Sequence, residues 1–188
     1  MYNFIQFLTY FRIIAGPIIF ILILLFQFYG IALIILILAS ASDYWDGFLA
    51  RKHSLTSSLG AVLDPIADKI LITFTLIALS VDLGSIYVAF ISSIILAREF
   101  WVSALRDLNA RNGNEEATSV TFLAKTKTSI QLITLCGFLT GLYLHNSLIL
   151  FLSHFLLFLA LIITLQTGLS YTIATFKNQH SASPGKKS

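Results

Sequence analysis

The sequence predicts an all-α integral membrane protein with six transmembrane helices and both termini in the cytoplasm. Hydrophobic residues make up 57% of the 188-residue chain and charged residues only 11%, whereas soluble domains carry about 25% charged residues. Several apolar runs reach the roughly 20 helical residues needed to cross a hydrocarbon core. These runs lack the alternating pattern of barrel strands, so we expect helices, which satisfy their own backbone hydrogen bonds.

The apolar runs divide the chain into six expected spans. They cover residues 8–29, 31–50, 61–80, 86–105, 126–144 and 148–171. The first two spans are joined through Gly30, the next two through residues 81–84, and the last two through residues 145–147. All six belong to one membrane domain, residues 1–176. Residues 177–188 are expected to form a disordered basic tail, because they hold too little apolar surface to order themselves.

The distribution of Lys and Arg predicts the orientation of these spans. The three connections just named contain no Lys or Arg, and all twelve basic residues lie on the other side or at span ends that face it. Basic loops are usually cytoplasmic, so both termini are expected in the cytoplasm, as an even number of spans also requires. The longest polar stretch, residues 107–116, links spans four and five on this side and contains the turn signal Asn112-Gly113.

Four aspartates at the ends of the second and third spans are the main functional signal. Asp43 and Asp46 are three residues apart, and Asp64 and Asp68 are four apart, so on helices each pair shares one face. Carboxylates are costly at a membrane edge and commonly mark functional sites there. We expect spans two and three to form an antiparallel hairpin that brings the two pairs face to face.

The chemistry of these carboxylates favours a site for divalent cations. Four converging carboxylates repel one another unless cations neutralise them. All-oxygen ligation without His or Cys suits Mg²⁺ or Mn²⁺ rather than Zn²⁺, and two such ions about 3.5–4 Å apart can clamp a phosphoryl group. Single residues have simpler alternatives, since Asp64, which precedes Pro65, can cap span three and Lys69 can pair with a carboxylate. The paired spacing of all four nevertheless favours pyrophosphate chemistry.

Eight residues at fixed spacing surround these acids. They are Asp43, Asp46, Gly47, Ala50, Arg51, Gly60, Asp64 and Asp68. This pattern resembles the signature of the CDP-alcohol phosphotransferase family at every defined position. Further similarity, to the members that use glycerol 3-phosphate, comes from residues 8–13 with Pro17, from 97–106 and from 123–131, so it covers about residues 5–135. One departure is Ile5-Gln6, where the family usually has Pro-Asn, and Gln6 is therefore left out of the site.

The resemblance implies a six-helix enzyme, often dimeric, in the plasma (inner) membrane of a bacterium. It implies transfer of a phosphatidyl group from CDP-diacylglycerol to glycerol 3-phosphate with release of CMP. The implied cofactors are two Mg²⁺ or Mn²⁺ ions. A homodimer is expected, and nucleic acid is not expected as a partner. The implied metal ligands are Asp43, Asp46, Asp64 and Asp68. Asp68 is the implied general base. The implied contacts to the CDP donor are Asp46, Gly47 and Arg51, although Arg51 alone also suits a positive-inside anchor.

A dianionic acceptor such as glycerol 3-phosphate needs cations of its own, apart from the metal ions. Candidates on the cytoplasmic side are Arg98, Lys125, Arg106, Lys127 and Arg12, with the neighbouring hydroxyl of Thr9. Lys125 and Lys127 are two residues apart and face opposite ways on a helix, so we expect one of them to reach the acceptor. Arg98 and Lys125 are favoured. Glu99 and Arg106, seven residues apart, can instead form a structural ion pair.

Two alternative functions remain at this stage. Within the family, the acceptor can be inositol phosphate, serine or phosphatidylglycerol, because the signature does not determine it. From a different class, a carrier could bind and pass a divalent cation. A carrier needs acids along a whole membrane path, whereas the signature acids lie on one side and the opposite connections offer only Asp82. We therefore rank the carrier low.

Overall fold

The computed structural model describes residues 2–53, 58–113 and 122–181. It describes only the backbone of residues 2–6, 43–53, 58–62, 122–125 and 178–181. The six helices are α1 (Tyr2–Leu24), α2 (Tyr29–His53), α3 (Ser58–Asp82), α4 (Ile86–Arg111), α5 (Phe122–Tyr143) and α6 (Ser147–Ser181). The described residues include no strand, which confirms the all-α prediction.

The six helices pack as a ring. α1 packs most extensively on α3 and also on α2; α2 packs on α5, α5 on α6, α6 on α4, and α4 on α3. α3 also touches α5 across the ring. α1 therefore lies between α2 and α3, the two helices that carry the signature. The direct α2–α3 packing expected from a hairpin is not among the main helix pairs in the described part of the chain.

The bundle is apolar both inside and outside. On α1, Ala15, Ile19 and Ile23 are buried and lie four residues apart, so they form one inward stripe. On its outer surface, Ile14 and Ile21 are exposed. A helix that is hydrophobic all round belongs in a large core or in a membrane. In this bundle only the inward face of α1 is covered by other helices, and its outer face stays exposed. The outer surface therefore suits lipid.

Three helices in the described part of the chain are long and apolar enough to cross a membrane. These segments are Phe7–Leu24, Ile86–Arg111 and Ser147–Lys177, and α2 adds the shorter apolar segment Tyr29–Ser42. They support the prediction of an integral membrane protein. The signature aspartates lie near one end of α2 and α3, and Lys125 and Lys127 lie near one end of α5. These charged residues lower the mean hydropathy of the three helices.

The first connection differs from the sequence prediction. The chain turns at residues 25–28, and Gly30 lies inside α2, so the prediction of a turn through Gly30 is wrong. Gln27 adopts a φ of 53°, and the N–H of Phe28 donates to the carbonyl of Leu22 at 3.0 Å. This is the left-handed end that usually requires Gly. Because Gln occupies the position, the sequence carries no signal for the turn.

α4 and α6 extend furthest beyond the C-terminal ends of their predicted spans. α4 continues into the predicted polar loop as far as Arg111, whose Nη2 pairs with Oδ2 of Asp107 at 2.8 Å. It ends at a turn in which Gly113 has a φ of 67°. α6 extends to Ser181, so the first residues of the predicted tail are helical, whereas residues 182–188 lie outside the described residues. Just before these extensions, a small apolar cluster of Val102, Leu105 and Tyr171 joins α4 to α6.

Candidate functional site

A cavity of about 340 Å³ is lined by α3, α4, α5 and α6. It lies at the end of the bundle opposite the three short connections. Its charged lining residues are Asp64, Asp68, Lys69, Arg98, Glu99, Arg106 and Lys127. The cavity therefore brings half of the signature acids together with three of the cations predicted for the acceptor, namely Arg98, Arg106 and Lys127.

Arg12 of α1 binds both signature aspartates whose side chains are described. Its Nη1 donates to Oδ1 of Asp68 at 2.7 Å, and its Nη2 donates to Oδ1 of Asp64 at 2.9 Å. The side chain of Arg12 is fully buried, whereas those of Asp64 and Asp68 are 36% and 39% exposed. A planar guanidinium can serve two acceptors at once. Arg12 thus fixes the two carboxylates relative to each other, and we call this contact the Arg12 clamp.

Two further residues of α1 support the Arg12 clamp. The hydroxyl of Thr9 donates to Oδ1 of Asp64 at 2.7 Å. Gly16, one turn after Arg12, allows α1 to approach α3 closely, since a Cβ there would lie 3.2 Å from the carbonyl oxygen of Ile70. The substrate contacts predicted for Thr9 and Arg12 stay predictions. The sequence does not predict the clamp, although the three-residue spacing of Thr9 and Arg12 puts both on one helix face.

Arg98, Glu99 and Lys127 form a second group, which we call the charge cluster. Oε1 of Glu99 accepts a hydrogen bond from Nη1 of Arg98 at 3.1 Å and another from Nζ of Lys127. Both cationic side chains are only 8% exposed. Buried charges are tolerated when they are paired, and here a single carboxylate compensates two cations. The cluster therefore retains a positive charge that suits an anionic ligand.

Arg98 is also held by α6. Its Nη2 donates to the hydroxyl of Thr167 at 2.6 Å. Beside this contact its side chain crosses Gly168, where a Cβ would lie 3.0 Å from Cγ of Arg98. The buried Nε of Arg98 finds no hydrogen-bond partner among the described residues.

Lys69 and Arg106 complete the positive lining. Nζ of Lys69 donates to the hydroxyl of Ser103, which in turn donates to the carbonyl of Glu99 at 2.8 Å. The guanidinium carbon of Arg106 lies 5.7 Å from the ring centroid of Tyr171, within cation–π range. Within the described part of the chain, neither a Glu99–Arg106 ion pair nor a pair of Lys69 with a carboxylate is present, and Glu99 pairs with other cations.

The remaining predicted site residues lie on described helices, but their side chains are outside the description. Asp43, Asp46, Gly47 and Arg51 are on α2, and Lys125 is on α5. The convergence of four carboxylates, the donor contacts and the preference for Lys125 over Lys127 therefore stay predictions. Among the described side chains, no group of three metal-ligating residues occurs.

The described half of the acid set fits a hard divalent cation. Asp64 and Asp68 lie one turn apart on α3, with their Oδ1 atoms fixed by the Arg12 clamp. Both carboxylates are partly exposed and line the cavity. Oxygen ligands on a rigid support are what Mg²⁺ and Mn²⁺ require.

α6 contributes to the site in a way that the sequence interpretation does not include. Besides holding Arg98, this helix offers the hydroxyl of Thr164, which accepts from Nε2 of Gln131 at 3.4 Å. The available signal was a stripe of small or polar residues on one face of an apolar helix, a pattern typical of close helix contacts in membranes. The buried members of the stripe are Thr164, Thr167, Gly168, Tyr171 and Thr175.

Comparison with known proteins extends the similarity into α6. A model of the CDP-alcohol phosphatidyltransferase family matches residues 2–167. A CDP-diacylglycerol–glycerol-3-phosphate 3-phosphatidyltransferase of Escherichia coli is 32% identical over 170 residues, which cover 89% of this chain and 91% of the relative. Proteins of the same name from Wigglesworthia glossinidia brevipalpis and Blochmanniella floridana are 39% and 37% identical, over 70% and 76% of this chain and over 74% and 76% of the relatives.

Proposed function

The chain belongs to the CDP-alcohol phosphatidyltransferase family, and we propose that it transfers the phosphatidyl group of CDP-diacylglycerol to glycerol 3-phosphate. The products would be phosphatidylglycerophosphate and CMP, a step of phospholipid biosynthesis. The observation that carries the proposal is the cavity whose lining combines two signature aspartates with the buried charge cluster. Such a cavity suits a reaction between a diphosphate held through metal ions and an acceptor that is itself anionic. The relatives compared above carry the name of this activity.

Asp43, Asp46, Asp64 and Asp68 would hold two divalent cations, Mg²⁺ or Mn²⁺. When bound, these ions neutralise a diphosphate and stabilise CMP as the leaving group. The Arg12 clamp would orient two of these ligands, Asp64 and Asp68, because residues that hydrogen-bond to metal ligands orient them and tune their affinity. Its buried guanidinium is fixed to Asp64 and Asp68 at 2.9 and 2.7 Å.

Asp68 would accept the proton of the attacking hydroxyl. As the hydroxyl oxygen bonds to the phosphorus next to the diacylglycerol, the bond from that phosphorus to the oxygen of CMP breaks and the proton must leave. A carboxylate within hydrogen-bond reach can take it, and Asp68 lines the cavity. On α2, Asp46, Gly47 and Arg51 would contact the CDP part of the donor.

The charge cluster would bind the phosphate of the acceptor. Arg98 and Lys127 line the same cavity as Asp64 and Asp68, and Arg can form paired hydrogen bonds with phosphate oxygens. Glu99 balances only part of their charge. Arg106 and Lys125 would add to the positive field of this region.

We expect Arg98→Gln to raise the KM for glycerol 3-phosphate by about tenfold or more, since a hydrogen bond between charged groups contributes about 1.5–3 kcal/mol. The KM for CDP-diacylglycerol should change little. The matched control is Arg111→Gln, which removes the same charge from the exposed end of the same helix and should leave both constants unchanged. Steady-state CMP release measures them. Equal effects of the two substitutions would remove Arg98 from the acceptor site.

We also propose that all six helices cross the inner membrane of a bacterium, with both termini and the cavity facing the cytoplasm. The three short connections at the other end, residues 25–28, 83–85 and 144–146, contain no Lys or Arg, as the positive-inside rule requires of the outer side. A homodimer is proposed from the family resemblance. The mass of the detergent-solubilised protein, measured by light scattering, tests the dimer.

The proposed function is tested by CMP release from the purified protein in detergent. With Mg²⁺ or Mn²⁺ and CDP-diacylglycerol present, we expect glycerol 3-phosphate to support release, and excess chelator to stop it. Inositol phosphate, serine and phosphatidylglycerol, offered to the same preparation, should support much less. Faster release with one of these alcohols would reassign the acceptor, and no metal-dependent release with any of them would refute the proposal.

A further inference from the structure

We propose that Thr167 and Gly168 of α6 form a seat that positions Arg98 for the phosphate group of the acceptor. We call these two residues the Arg98 seat. The inference rests on the proposed function, because it concerns how tightly glycerol 3-phosphate is held. It assigns a positioning role to the last helix, most of whose remaining surface is apolar.

The hydroxyl of Thr167 is fixed as a hydrogen-bond acceptor for Arg98. It donates its own hydrogen within α6, at 2.8 Å to the carbonyl of Ile163 and at 3.0 Å to that of Thr164. Its lone pairs are therefore available to Nη2 of Arg98, which lies 2.6 Å away. A short bond from a charged donor to a hydroxyl whose orientation is already set defines the direction of the guanidinium.

Gly168 provides the space in which the Arg98 side chain lies. A Cβ at this position would lie 3.0 Å from Cγ and 3.1 Å from Nε of Arg98. Both distances are shorter than the 3.4–4 Å of ordinary van der Waals contact. A Cβ at position 168 would therefore require the Arg98 side chain to shift by a few tenths of an ångström. The atom displaced lies in the middle of the side chain, so the whole guanidinium would move with it.

Three contacts thus define one orientation of Arg98. Gly168 receives the middle of the side chain, Thr167 accepts from Nη2, and Glu99 accepts from Nη1 at 3.1 Å. An arginine that is ordered before the ligand arrives loses less conformational freedom on binding, which increases affinity. The carboxylates of Asp64 and Asp68 are held by α1 instead. The seat should therefore affect acceptor binding and leave donor binding and the chemical step nearly unchanged.

The test compares Thr167→Val, Thr167→Ser and Gly168→Ala in the full-length protein in detergent. Thr167→Val has nearly the shape of Thr but lacks the hydroxyl, and Gly168→Ala adds a Cβ that requires Arg98 to shift. We expect each to raise the KM for glycerol 3-phosphate by about tenfold, with kcat and the KM for CDP-diacylglycerol within about twofold of the unaltered enzyme. Thr167→Ser keeps the hydroxyl and should retain a nearly normal KM.

The control for packing is Gly141→Ala on α5. A Cβ at this glycine would lie 2.8 Å from Cδ2 of Leu150 on α6, so the substitution crowds a helix contact whose residues do not line the cavity. It should lower the Tm without changing the KM for glycerol 3-phosphate. Should Gly168→Ala fail to fold, the Thr167 pair still decides the question.

Three outcomes would count against the seat. If Thr167→Val leaves the KM for glycerol 3-phosphate unchanged, or lowers kcat alone, the seat is refuted. In that case CMP release by the unaltered enzyme still upholds the proposed function. Equal loss in Thr167→Val and Thr167→Ser would overturn the role of the hydroxyl. No CMP release by the unaltered enzyme would overturn the proposed function itself, and with it the role of the seat.

Discussion

Asp68→Asn is expected to lower the rate of CMP release by about 10³-fold, because general base catalysis alone contributes about 10²–10⁴-fold. Asn has nearly the shape of Asp but cannot take a proton, and it is a weaker ligand for a divalent cation. The fold should persist, since the amide oxygen can still accept from Arg12 and the side chain is 39% exposed. Release of CMP at saturating substrates measures the rate, and Tm reports folding.

A matched control and a second aspartate separate the possible roles of Asp68. Asp107→Asn changes an exposed carboxylate on α4 and should leave the rate unchanged. Asp64→Asn should lose activity mainly through weaker metal binding, so a high concentration of Mn²⁺ should restore part of it. The same Mn²⁺ should not rescue Asp68→Asn. Equal rescue of both variants would show that Asp68 acts only as a metal ligand. A normal rate in Asp68→Asn would show that Asp68 has no role in the site.

Features set by local pattern could be predicted from the sequence. The all-α fold follows from the length and composition of the apolar runs, and the shared face of Asp64 and Asp68 follows from their four-residue spacing. The turn at residues 25–28 could not be predicted, because Gln27 adopts a left-handed conformation that favours Gly. Helix ends are the least reliable part of such predictions, and α4 and α6 illustrate this.

The contacts within the site were mostly beyond the reach of sequence patterns. Arg12 lies more than 50 positions before the aspartates that it binds, and nothing in a helical period connects the two. Helical spacing suggests that Glu99 can pair with Arg106, seven residues away on the same helix, whereas the structure pairs it with Lys127 of α5. Thr167 and Gly168 gave no chemical signal, since their roles depend on an arginine of another helix. The residue types were enough to predict the chemistry of the site, but which side chains contact each other depends on how the helices pack.

Arg12→Lys is expected to lower kcat by about 10²-fold, because misplacing a reacting group by about 1 Å can cost that much. Lys keeps the charge but offers one ammonium in place of the planar fork, so it cannot hold Asp64 and Asp68 at 2.9 and 2.7 Å together. We expect the free energy of unfolding to fall by about 1–3 kcal/mol through lost hydrogen bonds. Arg12→Leu should destabilise more, since it leaves two carboxylates without their cation.

The kinetic constants distinguish this role of Arg12 from the substrate contact predicted from the sequence. An arginine that orients catalytic carboxylates acts on the transition state, so Arg12→Lys should lower kcat with little change in either KM. An arginine that binds phosphate would instead raise the KM of one substrate. Arg111→Lys, at the exposed end of α4, controls for the substitution itself. Because Arg12 is fully buried and its Nη1 and Nη2 atoms both donate to the aspartates, we expect the loss to appear in kcat.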